Sequence, residues 1–116
     1  MITEFARLTI SPDGSAEFEA AVESVVHIFR AAPGCLGMAL DREIENPAHY
    51  LLVVQWESIE AHVDDFRNSI GFREWRNVVS PFFTAQPTVI HSQSISRYFD
   101  ARKCATIPDA SKMGSE

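Results

Sequence analysis

The 116-residue sequence predicts one α+β domain in the order β-α-β-β-α-β, with helices on one face of a four-stranded antiparallel sheet. Three observations carry that expectation. Segments of alternating polarity and segments of helical periodicity follow one another in that order. The loop between the second and third strands is short enough for a hairpin. The third strand, His49 to Trp56, is apolar on both faces, with Tyr50, Leu52, Val54 and Trp56 on one and Leu51 and Val53 on the other. A strand of that kind is covered twice. One helical layer covers one face, and in so short a chain the second cover is expected from another subunit.

The elements follow in order. Glu4 to Ile10 alternates as a strand, with Phe5, Arg7 and Thr9 on one face and Ala6, Leu8 and Ile10 on the other. The turn cluster Ser11-Pro12-Asp13-Gly14-Ser15 comes next, and either Asp13 or Ser15 is placed to cap a helix. That helix runs to about Ala32, with Phe18, Ala21, Val22, Val25, Phe29 and Ala32 as its apolar stripe, and Pro33-Gly34 ends it. The second strand covers Leu36 to Ile44, and Glu45-Asn46-Pro47-Ala48 turns the chain into the third. Ser58 caps the next helix, whose stripe is Ile59, Val63, Phe66 and Ile70, with His62 beside Ile59 and Phe66. Gly71 interrupts it, and Phe72, Trp75, Arg76 and Val79 carry a second helical piece as far as Pro81. Thr88 to Phe99 reads as the last strand, with Val89, His91, Gln93, Ile95 and Arg97 on one face. Residues 1–99 form the domain, and 100–116 lose periodicity and read as a mobile tail or an arm.

Composition narrows the function. The net charge of −6 and the lack of any Lys/Arg block argue against nucleic acid as a partner. The longest apolar run, Tyr50 to Val54, is too short to span a membrane. Met1-Ile2-Thr3-Glu4 carries no basic-then-apolar signal, so a cytoplasmic location is expected. Cys35 and Cys104 lie far apart, and two reduced thiols, one buried and one exposed, are expected rather than a disulfide. No two of the histidines have ligand spacing, so no metal site is expected. Nucleophile-elbow, phosphate-loop and dinucleotide motifs are absent from the sequence. Asp64 and Asp65 are adjacent on a helix, point apart and read as solvated.

Several short stretches then take on meaning together. They are Ala32-Pro33-Gly34-Cys35; Gln55-Trp56-Glu57-Ser58; Glu60-Ala61-His62; Phe66-Arg67 with Ser69; Phe72; Trp75-Arg76; and Pro81-Phe82-Phe83 with Pro87 before the last strand. In this order and spacing the sequence resembles the antibiotic biosynthesis monooxygenase family of dimeric α/β-barrel proteins, over roughly residues 3 to 98. The resemblance implies a ferredoxin-like domain that pairs into a dimeric α/β barrel, with a cavity in each subunit between sheet and helices. Some oxygenases of the family use no metal, flavin or heme. They take a phenol, quinol or polyketide-like aromatic whose own electrons activate dioxygen, and hold its anion in a dry pocket. The heme-degrading members of the superfamily share an Asn in the first strand, a Trp in the second helix and an axial His after it. Here the first strand has no Asn, and the other two places fall near Asp65 or Phe66 and near Trp75, so no cofactor is expected.

Within that frame His62 is the candidate base, because a neutral imidazole accepts a phenolic proton near pH 7. Trp56 and Trp75 offer rings for stacking and indole N–H donors, or else simply fill the core. Phe66, Phe72, Phe82 and Phe83 suggest an apolar wall. Arg7 is a candidate cation for a bound anion, with an ion pair to Asp41 or Glu43 as its structural alternative. His91 and Gln93 share a face and serve either a site or an interface, while His27 and His49 read as surface or strand-edge residues. The leading expectation is a cofactor-independent oxygenase acting on a small aromatic or quinol-like substrate. Phe83 joins Trp56, Phe66, Phe72 and Trp75 as its substrate-binding wall. The alternatives are a non-catalytic or regulatory homodimer that binds a small apolar ligand, and a small-molecule isomerase that needs a base but no oxygen.

Overall fold

Three eight-residue strands, β1 (Ile2–Thr9), β2 (Cys35–Arg42) and β3 (His49–Trp56), and a six-residue β4 (Thr88–Gln93) form one antiparallel sheet in the order β2-β3-β1-β4. The structure, a computed structural model, describes residues 1–100, so the expected tail lies, but for Asp100, outside the described residues, as does Cys104. Helices α1 (Ser15–Ser24), α2 (Val26–Ala31) and α3 (Ile70–Val79), with a π-helical turn at Ala61–Phe66, give the expected order on one face of the sheet. This is the ferredoxin-like α+β architecture.

Register decides which residues meet the helices. Glu4 sits between Val54 and His91 in the neighbouring strands, and Ala6 between Leu52 and Val89. Side chains alternate along a strand, so Glu4, Ala6 and Leu8 share the covered face with Tyr50, Leu52, Val54 and Trp56, all of them buried. Phe18 packs against Tyr50 and Phe82, and Phe29 against Trp56, Phe66 and Trp75. Each large apolar side chain buried this way contributes on the order of 1.5–3 kcal/mol. On the other face Ala39, Val53, Phe5 and Ile90 make one apolar row across all four strands.

Five expectations are corrected in detail. The first helix breaks at Val25 (φ −122°, ψ 13°) into α1 and α2. Ser24 bonds back to the Ala21 carbonyl at 2.6 Å, and the β-branched pair Val25-Val26 follows, both of which weaken a helix. Neither Asp13 nor Ser15 caps it, because Asp13 lies in a 3₁₀ turn and the Ser15 hydroxyl donates to the Pro12 carbonyl. The second helical segment ends before Gly71, and a new helix starts at Ser69, whose Oγ accepts the Phe72 N–H at 3.1 Å. β2 stops at Arg42, after which Ile44 is exposed. β4 stops at Gln93 because its partner strand begins there: Gln93 pairs with Ile2, and among the described residues no strand lies beyond to bond Ser94 to Phe99.

Gly34 closes the turn from α2 into β2 at φ +82°, where an added Cβ would lie 2.7 Å from the Ala61 Cβ. Gly34→Ala should therefore lower stability by about 1–3 kcal/mol. Gly14→Ala, which meets nothing within 4 Å, should stay within about 0.5 kcal/mol of wild type. Urea unfolding midpoints at unchanged slope check both, and equal effects would contradict the packing argument.

A candidate active-site cavity

The π-helical turn builds the site. The Arg67 N–H donates to the His62 carbonyl at 3.0 Å, five residues back, and the Ser58 hydroxyl oxygen accepts the Ala61 N–H at 3.2 Å at the entry. Widening one turn shifts the buried face from the expected Ile59, Val63 and Ile70 to Ala61, His62 and Phe66. Ile59 and Ile70 are exposed instead.

Between this turn, α3 and the sheet lies a cavity of about 200 Å³. The strands supply Glu4, Ala6, Leu8, Leu52 and Val89 to its wall. The helical side supplies Phe29, His62, Phe66, Phe72 and Trp75, and the connection to β4 adds Phe83 and Pro87. Arg67 and Arg76 border it. The wall thus brings together His62, Phe66, Phe72, Trp75 and Phe83 from the sequence-based candidates. Trp56 is not in the wall. Its ring lies behind His62, nearly parallel at 17° with 5.1 Å between centroids. Arg7 lies on the opposite face, because alternation along β1 turns Glu4, Ala6 and Leu8 inward and Arg7 outward. There it takes its structural alternative, 3.8 Å from Glu43 Oε2.

Glu4 was not among the sequence-based candidates, and it organises the polar part of the site. It is 5% exposed and His62 is 2% exposed. The Trp56 indole N–H donates to Glu4 Oε1 at 3.0 Å, and His62 Nε2 lies 3.3 Å from the same oxygen. His62 Nδ1 in turn meets His91 Nε2 at 2.8 Å, which assigns His91 to the site. Gln93 is exposed at the strand end. His49 pairs with Glu43 away from the cavity, and His27 is exposed on α2. The signal that could have found Glu4 is its phase: an acid two residues before Ala6, on the apolar face of a central strand.

Burial sets the titration of this cluster. Desolvation, then the charge of Arg67 and repulsion from a protonated His91, pushes His62 down from its ordinary 6.5 to about 4, so the imidazole is neutral at pH 7. Desolvation pushes Glu4 up, opposed by the Trp56 N–H and by Arg67. Burial also pushes up the half-buried Cys35 thiol, in keeping with an inert thiol. Among the described residues no group of three or more His, Cys, Asp and Glu is placed to hold a metal ion.

The cluster makes stability depend on pH. Between pH 6.5 and about 4 the unfolded chain protonates His62 while the folded one does not. Its contribution is therefore full above 6.5 and is lost as pH falls. Glu4 has the opposite sign, since its folded pKa is raised: its contribution is present at low pH and fades as pH rises. The difference in unfolding free energy between wild type and His62→Gln should grow by about 2–3 kcal/mol from pH 4 to pH 7. Chemical unfolding at the two pH values measures it, and a constant difference would rule it out.

Comparison with known proteins places this architecture. The family model for antibiotic biosynthesis monooxygenases matches residues 1–78. YczJ, an uncharacterized protein of Bacillus subtilis (strain 168), is 35% identical over 95 residues, covering 82% of this chain and all of its own. A crystal structure from Bordetella bronchiseptica, named as a candidate antibiotic biosynthesis monooxygenase, matches with a TM-score of 0.79 at 43% identity, over 82% of this chain and 97% of that one. SnoaB of Streptomyces nogalater, named a cofactor-independent oxygenase, shares the fold with a TM-score of 0.70 at 19% identity, over 85% of this chain and 97% of its own. The chain belongs to the antibiotic biosynthesis monooxygenase family.

Proposed function

We propose that this protein is a monooxygenase that works without metal, flavin or heme on a small phenolic or quinol-like aromatic held in the cavity. One observation carries the reading: an aromatic-walled cavity with a single buried acid–base cluster, Glu4 with His62, in its wall. A cavity of about 150 Å³ admits benzene, so about 200 Å³ suits one substituted ring. Family membership and the name of the SnoaB structure support the same chemistry.

In this reading the substrate binds against Phe66, Phe72, Trp75 and Phe83 and loses a proton to the acid–base cluster. The anion keeps the electron pair and is stabilised by Arg67 and Arg76 at the border. Electron transfer to dioxygen follows in a dry site. Both electrons that reduce the second oxygen atom to water come from the substrate, so the balance is RH₂ + O₂ → RO + H₂O. The apolar row Ala39–Val53–Phe5–Ile90 supports a second proposal, that two copies pair through the open sheet face. A cytoplasmic setting, in which the thiols stay reduced, belongs to the same reading.

Oxygen uptake should appear with a panel of single-ring quinols and phenols and fall about 10²–10⁴-fold in His62→Ala. Arg7→Ala, on the far face, should stay within about twofold, well under 1 kcal/mol. Uptake absent across the panel would sink the oxygenase. Ligand binding without turnover, unaffected by His62→Ala, would favour the non-catalytic reading that the apolar wall also suits. Sedimentation should show a dimer at micromolar concentration and a monomer for Phe5→Glu, and a wild-type monomer would remove the pairing.

A further inference from the structure

Both nitrogens of His62 face protein groups. Nε2 faces Glu4 Oε1 at 3.3 Å, Nδ1 meets His91 Nε2 at 2.8 Å, and Trp56 covers one face of the ring. Glu4 Oε1 is also taken, by the Trp56 N–H at 3.0 Å. Among the described residues no buried side-chain nitrogen or oxygen lacks a partner. Glu4 Oε2 has no partner and Glu4 lines the cavity, so that oxygen opens into it. We propose that Glu4, through Oε2, is the catalytic residue that exchanges the proton with the substrate, and that His62 and His91 are positioning residues behind it. The identity of the substrate rests on the oxygenase reading; the geometry does not.

The tautomers follow from the partners. A carboxylate oxygen opposite Nε2 favours the His62 proton on that nitrogen and leaves Nδ1 as an acceptor. The 2.8 Å contact then requires His91 to donate from its own Nε2. His91 thereby fixes the His62 tautomer, and His62 presents an N–H to Glu4. The cost of burial disfavours the ionised carboxylate, while the Trp56 N–H and the Arg67 charge favour it; a proton on His62 Nε2 would act in the same direction. In the reaction the substrate O–H bond breaks and its electron pair stays on the substrate oxygen. The proton bonds to Glu4 Oε2, making Glu4 a neutral acid. After dioxygen has bonded to a ring carbon, Glu4 returns that proton to the peroxide and the carboxylate is restored; the O–O bond then breaks, and hydroxide leaves with the proton of the same carbon as water, so that a C=O bond forms.

Two measurements test this. The first titrates wild type and Glu4→Gln with 4-nitrophenol about one unit below the probe's own pKa and reads its spectrum. Glu4→Gln keeps the shape and an acceptor for Trp56. Wild type should bind the probe as phenolate, and Glu4→Gln should bind it as neutral phenol with affinity within about threefold, roughly 0.7 kcal/mol. Phenolate bound equally by both proteins, or wild-type oxygen uptake in Glu4→Gln, overturns the assignment. No binding by either removes the phenol cavity and the assignment with it. Phenolate formation in wild type alone, without oxygen uptake, upholds Glu4 while the oxygenase reading fails.

The second begins with a readout that needs neither ligand nor turnover. Histidine nitrogen NMR should show His62 as the Nε2–H tautomer in wild type, a mixture in His91→Ala, and recovery in His91→Gln, whose amide N–H donates from the same place. The acid limb of kcat/KM should move to higher pH in His91→Ala and return in His91→Gln. The other titratable and charged groups around Glu4 are His62 on the π-helical turn, Arg67 just after it, Arg76 on α3 and Cys35 on β2, and both variants retain them. An Nδ1–H tautomer in wild type overturns the proposal.

Discussion

A carboxyl group on the covered face of a central strand must find partners or give up its charge, because an unpaired buried charge costs several kcal/mol or more. Glu4 is that group, and its partners come from different elements of the fold. Trp56 closes β3, His62 belongs to the π-helical turn and Arg67 follows it, and His91 on β4 bonds His62. Satisfying one side chain therefore fixes how the helical layer sits on two strand neighbours. The aromatic ring pairs around Phe29 and Phe66 then fill the space beside the cluster and leave the cavity between them.

The π-helical turn is where backbone packing reaches the site. Ala61 sits against the start of β2, where only glycine at position 34 leaves room, and the Glu57 N–H donates to the Gly34 carbonyl at 2.8 Å. That close approach sets the depth of the turn, and the next residue is His62. A wide turn is a weaker hydrogen-bonding arrangement than an α-helix and is retained where it aims a side chain. Here it aims an imidazole whose two nitrogens both find protein partners. The site is thus held by the fold before any ligand enters, as preorganised electrostatic catalysis requires.

Much of the fold was legible because alternation and helical periodicity are direct consequences of backbone geometry. The order of elements along the chain and the hairpin follow from them, whereas the cavity that gives Phe66, Phe72, Trp75 and Phe83 a role came from the family resemblance. What was not legible depends on contacts distant in sequence. Both faces of β3 are apolar, so pattern alone could not say which face of β1 the helices cover, and Arg7 became a candidate while Glu4 did not. The π-helical turn has no period of its own in a six-residue segment, so its stripe was read in the wrong phase. Alternation persists to Phe99, yet β4 ends where β1 runs out of partners at Ile2. Arg67 and Arg76 belonged to the family-like stretches, and only the packing of the helices against the sheet places both at the cavity border.

The register of β1 also separates two roles. Glu4 turns toward the cavity and Phe5 toward the open face, with one peptide bond between them. A slip of one residue would bring Phe5 and Arg7 under the helices and turn the carboxylate and Leu8 outward. Arg7 would then be buried beside Leu52 with no acid in reach, since Glu43 lies on the other side of the sheet. The Trp56 N–H would lose its acceptor, and His62 would lose the group opposite its Nε2. The cost of each lost pairing makes the polar cluster a register lock for the central strand. Glu4 and His62, which would serve the chemistry, thereby join Trp56 in holding the sheet in the one alignment that exposes the apolar row on its far face.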